Sequence, residues 1–181
     1  MIFLLDTRNQ KDDFVVKSLE ALGQTVVRTK LPFGDVATPT NLFNAIDLKS
    51  SGGGIIELAR NRCSKDHNRM KNEILNCLSV GGKITFMCFE PNITKLEDIK
   101  NWQSPKFKGD LYKTVQHEDG SYSKICLHLK GQPMCRTNPE TLIKSLQTMT
   151  TQDHYGKDFK VDLVFATKQN CGQKIIDILC K

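Results

Sequence analysis

The sequence predicts an α/β fold around a mainly parallel or mixed sheet, and three features lead to that reading. Short apolar or β-branched runs recur as candidate strands. Stretches with apolar residues three and four apart alternate with them, and Gly or Pro separates the two at strand–helix intervals. With 181 residues, 39% of them hydrophobic and 25% charged, the chain can build one domain with a real core and is not of disordered type.

Residues 2–5 form a continuous apolar run, the mark of a strand buried on both faces. Phe14, Val15, Leu19 and Leu22 follow at helical spacing, with Gly23 placed to stop that helix. Residues 24–31 are β-branched and read as a second strand, ended by Pro32 and a Phe33-Gly34 turn. Residues 35–44 read as a polar loop or a hairpin of weak strands, and 45–48 as another buried strand. Three glycines at 52–54 precede a helix start over 55–60. A stronger helix covers 64–78, with Ser64 as its cap, Asp66 at the positive end of its dipole, and Gly81-Gly82 beyond its end. Residues 83–89 form an apolar strand and 96–102 a short helix. Beyond them, 141–150 reads as helix, 159–166 as strand and 173–179 as a terminal helix. The expected organisation is a core over 1–103, an inserted hairpin or mobile lobe over 104–132, where Lys, Gly, Asp and Ser accumulate, and a C-terminal part over 133–181 packing on the same domain.

Lys plus Arg outnumber Asp plus Glu by 26 to 20, for a net charge of +6, which favours a polyanionic partner such as nucleic acid. The opening MIFLLDTRNQ has no basic leader region or cleavage site, and no apolar stretch is long enough for a membrane span. The seven cysteines are odd in number and contain no C-x-x-C pair. They read as reduced thiols in a cytoplasm-like compartment, with Cys77, Cys88 and Cys126 as core filler. No G-x-x-x-x-G-K-[ST] or G-x-G-x-x-G follows a strand, so nucleotide-handling α/β enzymes are disfavoured.

The chemistry concentrates in LPFGDVATPTNLFNAIDLKS, residues 31–50. Asp35 follows a turn, and Asp47 and Lys49 stand two apart on a strand, hence on one face. Charged side chains on a buried strand are expensive without a purpose. One purpose is catalytic: two carboxylates hold Mg²⁺ (or Mn²⁺), and the lysine orients or helps deprotonate an attacking water during phosphodiester hydrolysis. D-x-K is a very common tripeptide, however, and by itself reads far more readily as a plain Asp–Lys pair at a strand edge or a lysine reaching to solvent.

The ordered series D-T-R at 6–8, G-D at 34–35 and D-x-K-S at 47–50 resembles the XPF-type nuclease domain of the PD-(D/E)xK superfamily. The segments IIELARNRCSKDHNR (55–69), LEDIKNW (96–102), TLIKSLQTM (141–149), HYGKDF (154–159) and GQKIIDIL (172–179) resemble small members carried by phages and prophages. The resemblance implies a restriction-endonuclease-like core with a mixed central sheet flanked by helices. It implies Asp35, Asp47 and the Leu48 carbonyl as metal ligands, Lys49 as catalytic lysine, Asp6 as a further catalytic acid near the metal, and Arg8 as its basic partner. His67 and Arg69 match the family's H-x-R; with Lys65 they form either a phosphate-holding, DNA-binding group or a solvated basic face. Where the family shows E-R-K, this chain has Asp47-Leu48-Lys49, and no helix-hairpin-helix pair is visible.

Glu57 reads as an extra acid near the site or as a helix-start residue, and Glu90 as a possible border of the site. Trp102 reads as a core residue more readily than as a base-stacking one. The expected activity is that of a Mg²⁺-dependent endonuclease. Its substrate would be branched or single-strand-containing DNA (flap, fork or junction) in phage recombination or replication, in the bacterial host cytoplasm; a two-site cutter of symmetric junctions would need a homodimer, whereas a monomeric flap cutter would not. The alternative is a catalytically silent DNA-binding or scaffold module of the same fold.

Overall fold

The computed structural model describes residues 1–9, 12–50, 53–63, 66–102, 112–126, 139–151 and 161–180. In chain order these build β1 (Ile2–Asp6), α1 (Asp13–Ala21), β2 (Thr25–Thr29), β3 (Val36–Thr38), β4 (Asn41–Lys49), α2 (Gly54–Cys63), α3 (Asp66–Ser79) and β5 (Lys83–Phe89). A 3₁₀ turn (Leu96–Asn101), β6 (Tyr112–Gln116), β7 (Tyr122–Cys126), α4 (Pro139–Thr151), β8 (Asp162–Ala166) and α5 (Cys171–Leu179) follow. Ser64 and Lys65 lie outside the described residues, as do 103–111, 127–138 and 152–160, so the Ser64 cap and the start of the 159–166 strand lie there too.

Six strands form one mixed sheet in the order β2-β1-β3-β4-β5-β8. The pairs β1–β2, β4–β5 and β5–β8 are parallel, and β3 runs against both β1 and β4. β4 begins at Asn41, four residues before the run that marks it in the sequence. Asn41, Leu42 and Phe43 are exposed, so the two apolar residues of this half show no alternation with polar ones, and the strand is held here by its hairpin with β3. From Ala45 onward it lies between β3 and β5 and is buried on both faces. β2 is an edge strand, which explains its mixed and largely exposed pattern.

Helices cover both faces. On one, Phe3, Leu5, Val36, Ile46, Leu48, Met87 and Phe89 meet Val15 and Leu19 of α1 and Ile175 and Leu179 of α5. On the other, Ile84, Phe86 and Cys88 meet Ile55 and Leu58 of α2, Met70 and Ile74 of α3, and Leu142 and Leu146 of α4. Each large side chain sealed in this way stabilises the fold by roughly 1.5–3 kcal/mol. Trp102, 7% exposed, belongs to the second core and so packs as the sequence favoured. Cys77 and Cys88 are buried free thiols among the same apolar neighbours.

The 104–132 stretch contains an antiparallel hairpin, β6 with β7, forming a separate two-stranded sheet. Among the described residues, no helix is long and apolar enough to cross a membrane.

Candidate active site

Strands β1 and β4 both end at the same edge of the sheet, at Asp6 and Lys49, and the β2–β3 connection returns across that edge. Carboxyl ends of parallel strands are where α/β sheets present polar groups from several loops at once. Here they form the floor of an open cleft of about 810 Å³. Arg8, Phe33, Gly34, Asp35, Asp47, Leu48, Lys49 and Ser50 line it, and Glu57 of α2 and Arg69, Asn72, Glu73 and Asn76 of α3 form its helical wall.

The Asp35 turn is fixed from three sides. Its backbone N–H donates to the Ile46 carbonyl at 2.8 Å, and its carbonyl accepts from Asp6 N–H at 2.9 Å. Its carboxylate Oδ2 accepts from the Leu48 N–H at 2.7 Å, which ties the side chain to β4 beside Asp47. Gly34 makes this approach possible. Its φ is +62°, and a Cβ there would sit 2.8 Å from the Ile46 carbonyl oxygen and 3.1 Å from the Ala45 Cβ. The Gly34 N–H donates to Glu73 Oε1 at 3.2 Å, so α3 also grips the turn.

Asp47 and Lys49 share the β4 face under α2 and α3 and are 7% and 3% exposed. Lys49 Nζ lies 2.7 Å from Asp47 Oδ1 and donates to Oδ2 at 2.8 Å, and it sits 4.9 Å from the centre of the Phe86 ring. The pair is therefore embedded at the end of a central strand, between β3 and β5. Burial pushes the Asp35 carboxyl up and the charge of Asp47 adds to it. The Leu48 N–H, the Lys49 charge and a hydrogen bond from Asn9 only partly offset them, and the result is a pKa of about 7. Burial works against the Lys49 charge, but Asp47, Glu57 and Asp35 outweigh it, and the ammonium is held above its ordinary range.

Asp6, the further acid the resemblance implies, closes β1 at the same end of the sheet. It is 1% exposed and lies outside the cleft lining. Its Oδ1 accepts from the Arg8 backbone N–H (2.7 Å) and Nε (2.8 Å), and its Oδ2 accepts from Arg8 Nη2 (2.6 Å) and Leu31 N–H (2.9 Å). Burial opposes its charge, but these donors prevail and hold the carboxyl below its ordinary range. With both oxygens engaged, Asp6 positions Arg8, whose Nη2 also donates to the Leu31 carbonyl at 3.0 Å. The expected convergence of three acids is thus, in this structure, a convergence of Asp35 and Asp47 with Lys49. Among the described residues, no three His, Cys, Asp or Glu side chains cluster as a metal group.

Of the expected DNA-binding residues, Arg8 and Arg69 line the cleft, His67 does not, and Lys65 lies outside the described residues. His67 keeps Nδ1 buried without a partner among the described residues. Glu57 faces the cleft and acts electrostatically on Lys49. Glu90 instead turns to α2, where its Oε2 accepts from the Ile55 N–H at 3.3 Å at the start of the helix. Gly54 lets the start of α2 lie directly on β4 and β5: a Cβ there would meet Cys88 Sγ at 2.6 Å and the Lys49 carbonyl at 2.7 Å. Glu73, Asn72 and Asn76 did not stand out in the sequence. The signal was available, since 69, 72, 73 and 76 fall on one helical stripe of polar residues.

No family model and no curated protein sequence matches the chain. Solved structures do match in fold. XPF from Aeropyrum pernix superposes with a TM-score of 0.57 at 13% identity, over 99% of this chain and 63% of that one. The chain thus spans less than two thirds of that protein's length. The shared feature is the fold, a restriction-endonuclease-like α/β core, which this chain builds as a six-stranded mixed sheet between helices.

Proposed function

We propose that the chain is a metal-dependent endonuclease that hydrolyses DNA phosphodiester bonds at the Asp35–Asp47–Lys49 cleft. The observation that carries this reading is the meeting of two carboxylates and an ammonium on one open cleft, at the strand-end edge of a sheet with the fold of XPF.

The donor set suits a hard divalent cation. The two carboxylates sit close enough that the charge of Asp47 helps to push Asp35 up, and a cation between them would relieve that strain. Asp35, Asp47 and the Leu48 carbonyl would hold Mg²⁺ or Mn²⁺, which when bound polarises a phosphoryl oxygen and lowers the pKa of a coordinated water. Lys49, held as an ammonium, would orient the nucleophile and offset charge that builds on the phosphoryl group. Arg8, splinted by Asp6, and Arg69 on the helical wall are placed to take neighbouring phosphates. By the sequence resemblance, the substrate is branched or single-strand-containing DNA in phage recombination or replication.

The test is a panel of labelled flap, fork, junction, duplex and single-stranded DNAs with Mg²⁺ or Mn²⁺. Wild type should cut at least one, chelator should stop it, and Asp47→Asn should be inert while keeping its circular dichroism spectrum. Undiminished cutting by both Asp47→Asn and Lys49→Ala would refute the site. Chelator-insensitive binding with no cutting of any substrate would establish the silent-module alternative.

A further inference from the structure

With Trp102 packed in the core, the cleft still carries an aromatic face of its own. Phe33 lines it, half-buried, two residues before Asp35. From behind, the ring rests on the core beneath α2 and α3. At its side lies Phe43, with ring centroids 6.2 Å apart and planes at 49°. Phe43 is itself 45% exposed. Phe33 is therefore fixed by packing yet open to the cleft, which limits the entropy lost when something stacks on it. A site that met only phosphates would have no use for an apolar ring here, since phosphates are held by cations and N–H donors.

We infer that Phe33, braced by Phe43, is a stacking platform for one unpaired base adjoining the phosphate at Asp35, Asp47 and Lys49; this rests on the nuclease reading. Two residues of chain hold the Cα atoms of Phe33 and Asp35 within about 7 Å of each other, and both side chains line the same cleft. In an intact duplex both faces of every base are covered by its neighbours, and exposing one costs a few kcal/mol. A single strand, a flap or the arm of a fork offers base faces freely, and aromatic rings take them with little regard to sequence. Arg8 and Arg69 line the same cleft and supply positive charge for the strand's phosphates. The volume of about 810 Å³ is of the size that holds a small-molecule ligand, and so a nucleotide unit. Preference for single-strand character thus originates in the nuclease cleft itself.

The test is a cycle between protein and DNA, with Ca²⁺ replacing Mg²⁺ so that the full chain binds splayed-arm DNA without cutting it. A single abasic nucleotide is stepped through the branch point. For wild type, one position should weaken binding on the order of tenfold. Phe33→Ala should lose a similar factor and become indifferent to that one abasic position. Phe33→Trp should keep the sensitivity, and Phe33→Leu, which fills the core side without an aromatic face, should behave as Ala. A uniform loss across all positions, or full rescue by Leu, would reduce Phe33 to packing and overturn the inference. A flat abasic scan in a protein that Asp47→Asn inactivates would sink the platform alone. Cutting that survives Asp47→Asn, or no DNA binding at all, would sink the nuclease reading and the platform with it.

Discussion

Proton-linked metal binding gives the sharpest test of the cleft, because its size follows from the geometry. Asp35 is held protonated up to about pH 7 by burial and by the charge of Asp47, whereas a metal ion needs the carboxylate. With a pKa of about 7, roughly a tenth of Asp35 is ionised at pH 6 and roughly nine tenths at pH 8. Mn²⁺ affinity should therefore rise about tenfold over that interval, with close to one proton released per ion at pH 6. Titration calorimetry in two buffers of different ionisation enthalpy measures both quantities. The metal-free fold should respond in the opposite direction. Because the folded-state pKa lies above the ordinary 3.8, the native state is favoured by this proton below about pH 4, and the contribution is lost as pH rises through about 7. The loss is at most on the order of 4 kcal/mol, so Asp35→Asn should raise the melting temperature of the metal-free protein at pH 8 while abolishing tight Mn²⁺ binding. A Mn²⁺ affinity that is flat from pH 6 to 8, with no proton release, would refute the pairing of these two carboxylates.

Three further outcomes follow. Lys49→Met removes the ammonium that occupies both oxygens of Asp47, so it should bind Mn²⁺ about tenfold more tightly yet fail to cut; weaker binding would mean that Lys49 helps to build the metal site. Gly34→Ala places a Cβ against the Ile46 carbonyl at positive φ, and should cost about 1–3 kcal/mol in denaturant unfolding and displace Asp35; an unchanged midpoint would show that the turn is slack. Arg69→Ala should weaken DNA binding uniformly across sequences and lower the salt slope by about 1, whereas an unchanged slope would place Arg69 off the phosphate path.

The sequence by itself determined most of the strand and helix order, because apolar runs and helical spacing report which faces must leave water. It also put Asp47 and Lys49 on one face, since a strand alternates whatever it packs against, and it marked Gly34-Asp35 as a turn. What it could not decide was where carboxylates on neighbouring segments would point. Asp6 and Asp35 both lie at the same strand-end edge, but only the fold, by donating Arg8 and Leu31 N–H groups to one and the Leu48 N–H to the other, turned Asp6 to a splint and Asp35 to the cleft. Glu90 was diverted in the same way by the N-terminus of α2, and Phe33 was opened to the cleft by the packing of Phe43 and the core beneath it. Local pattern fixes the face of an element, whereas hydrogen-bond partners from distant segments fix the aim of a polar side chain, and those partners exist only once the chain has folded.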